Sequence, residues 1–223
     1  MGAAAGASAF GATLIAVSVL RSNEVPPFTI GLIRFGGAAL ILVMTLTIFN
    51  RRMLQLGEGK LWVLGAGVVG FGLFAMTFNV GLTYTTASRA AVVIGTLPIW
   101  SMIMARRLTG ERLSPRQATG AILTVLGVTV VMATRGFGDG QLVGDALMLA
   151  TAILGAGYSV LAKRAIATNR AITVTIYAML VGAAALIPVS LFEGVPGSLV
   201  DLGRDNWLLL LFATVIGAAF AWL

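Results

Sequence analysis

The sequence contains no cysteine and no histidine. The missing cysteines exclude disulfides and thiolate metal sites. The missing histidines exclude haem ligation by His and, with the cysteines, every Ser–His or Cys–His mechanism within the chain. Charge is scarce as well. Only 10 % of the 223 residues are charged, where a soluble domain carries about 25 %. The charge is missing from long stretches that recur along the whole chain, so neither a signal peptide nor a single anchor on a soluble domain accounts for it.

What fills those stretches is apolar: 58 % of the residues are hydrophobic. Eight runs emerge, at Gly2–Leu20, Phe28–Phe49, Leu61–Leu82, Ala87–Ala105, Gln117–Ala133, Gly144–Ala162, Ala171–Phe192 and Trp207–Leu223. About 20 helical residues cross a hydrocarbon core of roughly 30 Å. The runs are long and lack period-2 alternation, which favours helices over barrel strands. The connections are short, so the expectation is one all-α, polytopic membrane protein.

The net charge of +7 is a matter of topology, and no nucleic acid is expected as a partner. Alternate loops sort the charges. One set holds Arg51, Arg52, Lys60, Arg106, Arg107, Arg112, Arg116, Lys163, Arg164 and Arg170, with Glu58 and Glu111. The other holds Arg21, Arg135 and Arg204 against Glu24, Asp139, Asp145, Glu193, Asp201 and Asp205. The basic set marks the cytoplasmic side, which puts the amino terminus in the cytoplasm. The lipid bilayer is the expected partner of this basic surface. With Asp145 counted among the outer loops, no other acid falls inside a run. No proton relay is therefore evident in these runs.

The third and eighth runs resemble one another. Trp62 aligns with Trp207 and Gly72 with Gly217 at one common offset. The same offset lays the first run on the sixth and the second on the seventh. Runs one to five then form one half, residues 1–134, and runs six to eight begin a second, residues 144–223. Five is odd, so the second half enters the membrane inverted, as in many transporters. Two five-helix halves make ten helices, of which about eight are present. On that count the chain is read as a fragment or truncated product.

Several residues carry candidate chemistry. The G-x-G-x-x-G at Gly65, Gly67 and Gly70 lies inside a membrane run, so it is read as a close-packing surface and not as a dinucleotide fingerprint. Phe71, Phe74 and Phe78 share a helical face, with Thr77 and Asn79 toward its outer end. Ser88, Val92, Thr96 and Trp100 recur every four residues along the fourth run. An aromatic wall with a few hydroxyls and one amide suits a small amphipathic ligand. Phe74, Thr77, Phe78, Asn79, Tyr84, Ser88, Thr96, Trp100, Tyr158 and Trp222 are therefore candidates for a substrate cavity. Interhelical hydrogen bonding and packing is the alternative for each. Pro98, with Gly95 beside it, is expected to kink the fourth run, either as part of a gate or as a static bend.

Some of these residues also carry a resemblance. "LIRFGGAALIL" around Arg34–Phe35, the Tyr84 turn, "ASRAA" at Ala87–Ala91, Pro98, Gly110–Glu111–Arg112, Gln117, Gly120 and Gly127 resemble the EamA-type drug/metabolite transporter superfamily. "GDALMLATAILGAGYSVLAKRA" (Gly144–Ala165) resembles the start of that family's second repeat. Phe10–Gly11 stands where the family usually has Trp–Gly. The resemblance implies ten helices in two inverted halves, a central cavity and alternating access. It also implies a small-molecule substrate, no cofactor and no metal, in a bacterial cytoplasmic membrane. The functional expectation is a secondary transporter or exporter of a small organic metabolite, such as an amino acid or drug-like solute, by alternating access. A non-transporting scaffold or inactive product is the alternative, and a membrane-embedded enzyme lacks the residues it needs. Glu111, among Arg106, Arg107, Arg112 and Arg116, is either an ordinary loop ion pair or, as the resemblance implies, a clamp on the turn after the fourth run.

Arg34 is the costly residue. Insertion scales put arginine at a helix centre at roughly +2.5 to +3.5 kcal/mol. It lies six residues beyond Phe28, about 9 Å down its helix. The resemblance favours a structural role, tying the second run to neighbouring carbonyls. Lipid phosphate and an anionic group on the substrate are the alternatives.

Overall fold

The computed structural model describes residues 2–110, 115–135, 141–193 and 202–220, and it contains helices and no strand among them. Eight helices follow in order: α1 (Gly2–Ser22), α2 (Pro27–Phe49), α3 (Lys60–Tyr84), α4 (Ala87–Thr109), α5 (Pro115–Arg135), α6 (Gln141–Ile166), α7 (Ala171–Phe192) and α8 (Arg204–Phe220). Each coincides with one apolar run of the sequence. Among the described residues, α2, α3, α4, the Leu142–Ile166 stretch of α6, and α7 are long and apolar enough to cross a membrane.

Local sequence explains the helix ends. Pro27 occupies the first turn of α2, where its missing N–H costs nothing. Gly110 follows α4 with φ +70°, the left-handed conformation that closes a helix at low cost for glycine. Thr86 caps α4, its side chain accepting from the Arg89 backbone N–H.

Two helices depart from regular geometry. In α3, residues Val68–Leu73 form a π-helical segment. In α4, the helix breaks at Gly95–Thr96 and resumes at Leu97. Pro98 therefore sits in the first turn of the resumed segment and breaks no hydrogen bond there. The interruption of the helix lies just before the proline, at Gly95–Thr96.

The helices pair by close approach. α2 packs along α7, α3 lies against α6 and α7, α4 against α6, and α8 against α1 and α2. Small residues permit this. A Cβ at Gly67 would stand 2.7 Å from the Ala178 carbonyl oxygen and 2.6 Å from Val181 Cβ. A Cβ at Gly70 would run into the Tyr158 ring. The glycines of the G-x-G-x-x-G are thus contact surfaces for α6 and α7. Leu40, Met44 and Ile48 of α2 and Leu208, Leu211 and Val215 of α8 face outward, as lipid-facing residues would.

Polar ties join the helices at both ends. At one end, the Gly57 N–H donates to Asn169 Oδ1 at 2.7 Å, and Asn169 Nδ2 donates to the Glu58 carbonyl at 2.7 Å. Tyr177 donates to the Leu54 carbonyl at 2.9 Å. At the other end, Glu193 accepts from the backbone N–H groups of Phe28 and Thr29, both at 3.0 Å. A carboxylate there satisfies orphan donors and complements the helix dipole. Asn23 donates to Asn206 at 2.7 Å at the same end.

Candidate functional site

The candidate residues divide between two places. Phe74, Thr77, Phe78 and Asn79 lie on α3 facing the interior. Phe74 and Phe78 stack with ring centroids 5.9 Å apart. The hydroxyls of Thr77 and Thr151 meet at 2.8 Å, linking α3 to α6. Phe71 turns elsewhere. It meets Phe35 edge-on at 5.1 Å and Tyr158 at 5.3 Å. One aromatic line thus runs from α2 through α3 to α6. The π-helical segment widens the turn, so residues before and after it leave the common face that an α-helix would give them. Such segments occur often at functional sites.

Ser88 and Pro98 lie apart from this line. They border a cavity of about 740 Å³ between α1 and α4, whose walls include Leu14, Ile15 and Ile94. Its lining is apolar except for the Ser88 hydroxyl. Thr96 turns its hydroxyl back to the Val93 carbonyl at 2.7 Å, closing the break in α4. Trp100 is half-buried, and Tyr84 is 50 % exposed at the end of α3. Trp222 and Glu111 lie outside the described residues.

The arginines show an interaction that sequence alone misses. Arg89 is 3 % exposed and forms an ion pair with Asp145 of α6, which is 12 % exposed. Asp145 also accepts from the Thr85 hydroxyl at 3.0 Å. The loop-charge pattern groups Asp145 with the outer connections, yet it lies in the second turn of α6. Its neighbour Gly144 lets the backbone of Tyr84 and Thr85 come within touching distance. The signal was an acid one residue inside an apolar run, with an arginine on another run.

Arg34 has no such partner. It is 8 % exposed, and its Nε has no hydrogen-bond partner among the described residues. Its guanidinium carbon stands 4.9 Å from the centroid of the Phe35 ring, a cation–π distance. The expected bonds to helix carbonyls are not found there. Asn79 is fully buried, and among the described residues both atoms of its amide lack partners. Ser101 Oγ likewise has no partner among them. No cluster of three or more His, Cys, Asp or Glu that could hold a metal occurs among the described residues.

A bundle of apolar helices with an aromatic line and buried polar groups in its interior fits a polytopic membrane protein, and comparison with known proteins gives its family. The sequence model of the EamA-like transporter family matches residues 1–133 and 142–223. The chain belongs to the EamA-like transporter family. This EamA chain is 28 % identical over 194 residues to the uncharacterized transporter YyaM of Bacillus subtilis (strain 168), covering 82 % of this chain and 63 % of that protein. An uncharacterized transporter of Archaeoglobus fulgidus is 29 % identical over 212 residues, 90 % of this chain and 69 % of that one. A probable terminal-alkyne amino-acid exporter of Streptantibioticus cattleyicolor is 25 % identical over 123 residues, 55 % of this chain and 41 % of the exporter. A solved crystal structure at 20 % identity superposes with a TM-score of 0.63, covering 96 % of this EamA chain and 75 % of that one. The last likeness concerns the fold.

Proposed function

We infer that this chain carries the transport path of a secondary transporter that moves a small organic metabolite by alternating access. The observation that carries the reading is the aromatic line Phe35, Phe71 and Tyr158 at the π-helical segment. Its Phe35 ring stands against Arg34, whose Nε has no partner among the described residues. Irregular backbone and unpaired polar groups inside a membrane are tolerated where they border a path or cavity. The naming of one relative as an amino-acid exporter supports a solute of that size and polarity. The matched relatives are named as transporters or an exporter, which weighs against an enzyme.

The two-half reading, residues 1–134 and 144–223, is supported by the helix pairing. An inverted repeat exchanges α1 with α6, α2 with α7 and α3 with α8. Under that exchange the α1–α8 contact maps onto α6–α3, and the α2–α8 contact onto α7–α3. Both members of each pair occur. Alternating access then opens one set of end ties while the other holds. The loop charges put the Arg164 end in the cytoplasm and the Asp205 end outside.

Proteoliposome counterflow tests the function. Preloaded amino acids and small aromatic solutes are expected to drive saturable uptake of a labelled counterpart. Uptake no faster than in empty liposomes across the panel would refute transport. Cysteines introduced at Arg164 and Asp205 test the orientation. An impermeant thiol reagent applied outside intact cells should label the second and spare the first.

A further inference from the structure

Two buried arginines stand in this bundle. One has its carboxylate, and the other has no acid among the described residues. We propose that Arg34 and Asn79 form a receptor for a carboxylate on the transported solute, with Phe35, Phe71 and Tyr158 taking the solute's apolar part. The proposal rests on the transport reading above and names the substrate class for that path.

The placement comes first. A Cβ at Gly31 would stand 3.1 Å from Asn79 Nδ2. Arg34 lies one helical turn further along α2, so guanidinium and amide belong to neighbouring levels of the same interface. Gly31 faces α3 and α7, while Gly37 faces Thr214 of α8. At 100° per residue, Arg34 projects between those two directions, into the bundle. Its 8 % exposure agrees.

The chemistry comes second. A guanidinium is a planar fork of five donors that matches a carboxylate in two parallel bonds. Phe35 lies against the guanidinium and supplies no hydrogen-bond acceptor of carboxylate strength. Asn79 Nδ2 adds a further donor, and no atom of the described residues uses it. A buried charge is tolerated when it is paired. Among the described residues no acid pairs Arg34, whereas Arg89 has Asp145. The open fork therefore selects a negative group and repels a solute whose only charge is positive.

The anion could also arrive as a lipid phosphate. The burial of Arg34, about 10 Å along α2 from Pro27, favours a solute that enters the bundle.

The test uses one phenyl scaffold with four charge patterns: 3-phenylpropionate, phenylalanine, phenylalanine methyl ester and phenylethylamine. Binding to the purified protein is read by thermal shift, independently of transport. The two carboxylates are expected to raise the midpoint, and the ester and amine are not. Arg34→Gln is expected to weaken carboxylate binding by roughly 10- to 100-fold, the worth of a charged hydrogen bond. A variant that fails to fold is covered by Asn79→Asp. That change places a carboxylate beside the guanidinium, so it should raise the midpoint without ligand and abolish the carboxylate response. Equal binding of acid and ester by the wild-type protein would overturn the proposal. So would Asn79→Asp with a lowered midpoint and intact carboxylate binding. Carboxylate affinity that falls as phosphatidylglycerol replaces phosphatidylcholine would assign Arg34 to lipid and overturn the solute receptor. Transport of all four solutes alike would leave the transporter standing and remove this site. Selective carboxylate binding with no counterflow would keep the site and remove the transport reading.

Discussion

Arg34 and Arg89 are the same side chain, buried to a similar depth, and the bundle treats them in opposite ways. Arg89 is held by Asp145, which also accepts from Thr85 and joins the start of α4 to the start of α6. Arg34 meets an aromatic ring and leaves its Nε without a partner among the described residues. A buried ion pair contributes modestly to stability, but removing one partner strands the other at high cost. A buried cation without an internal partner has already taken that cost. The paired arginine is therefore part of the architecture. The unpaired one is a standing demand for a negative group from elsewhere.

Stability measurements can break this comparison. The largest effect is expected at the paired site. Asp145→Asn leaves Arg89 buried without its carboxylate and should destabilise the protein by about 3–5 kcal/mol. A chaotrope or thermal unfolding midpoint in detergent reads this, and an unchanged midpoint would mean the pair is not structural. Packing sets an intermediate scale that involves no charge. Gly67→Val drives a branched side chain into the Ala178 carbonyl and Val181, at about 1–3 kcal/mol. Should Gly67→Val prove harmless, α3 and α7 are further apart than the bundle requires. The smallest effect is expected at the unpaired site. Arg34→Gln removes a charge that no described residue compensates, so the ligand-free midpoint should stay level or rise slightly. A loss comparable to that of Asp145→Asn would equate the two arginines and end the comparison.

Much of the fold was legible because it depends on local chemistry. The run Ala171–Phe192 was read from composition alone and is α7 to the residue. The other helices differ from their runs by a few residues, where caps and polar ends extend them. The site was less legible, for reasons of register. Phe71, Phe74 and Phe78 share a face only if α3 is a regular α-helix. The π-helical segment separates Phe71, which joins Phe35 and Tyr158, from the stacked pair Phe74 and Phe78. The four-residue spacing of Ser88 and Thr96 is interrupted by the break at Gly95–Thr96. Ser88 accordingly borders a cavity against α1, while Thr96 bonds within its own turn.

A bundle of apolar helices, their ends to within a few residues, and the family they belong to are all readable from the amino-acid order alone. Those properties follow from hydrophobic length, proline and glycine punctuation, and the absence of charge, each read within one stretch of chain. Which arginine is satisfied follows from contacts between helices. Arg89 and Asp145 lie on different helices, and the close approach of α6 to the end of α3 at Gly144 brings them together. Gly31 likewise lets α2 come close to Asn79 of α3. A side chain's partner depends on helix rotation and separation, and neither is written in the spacing of residues along one helix.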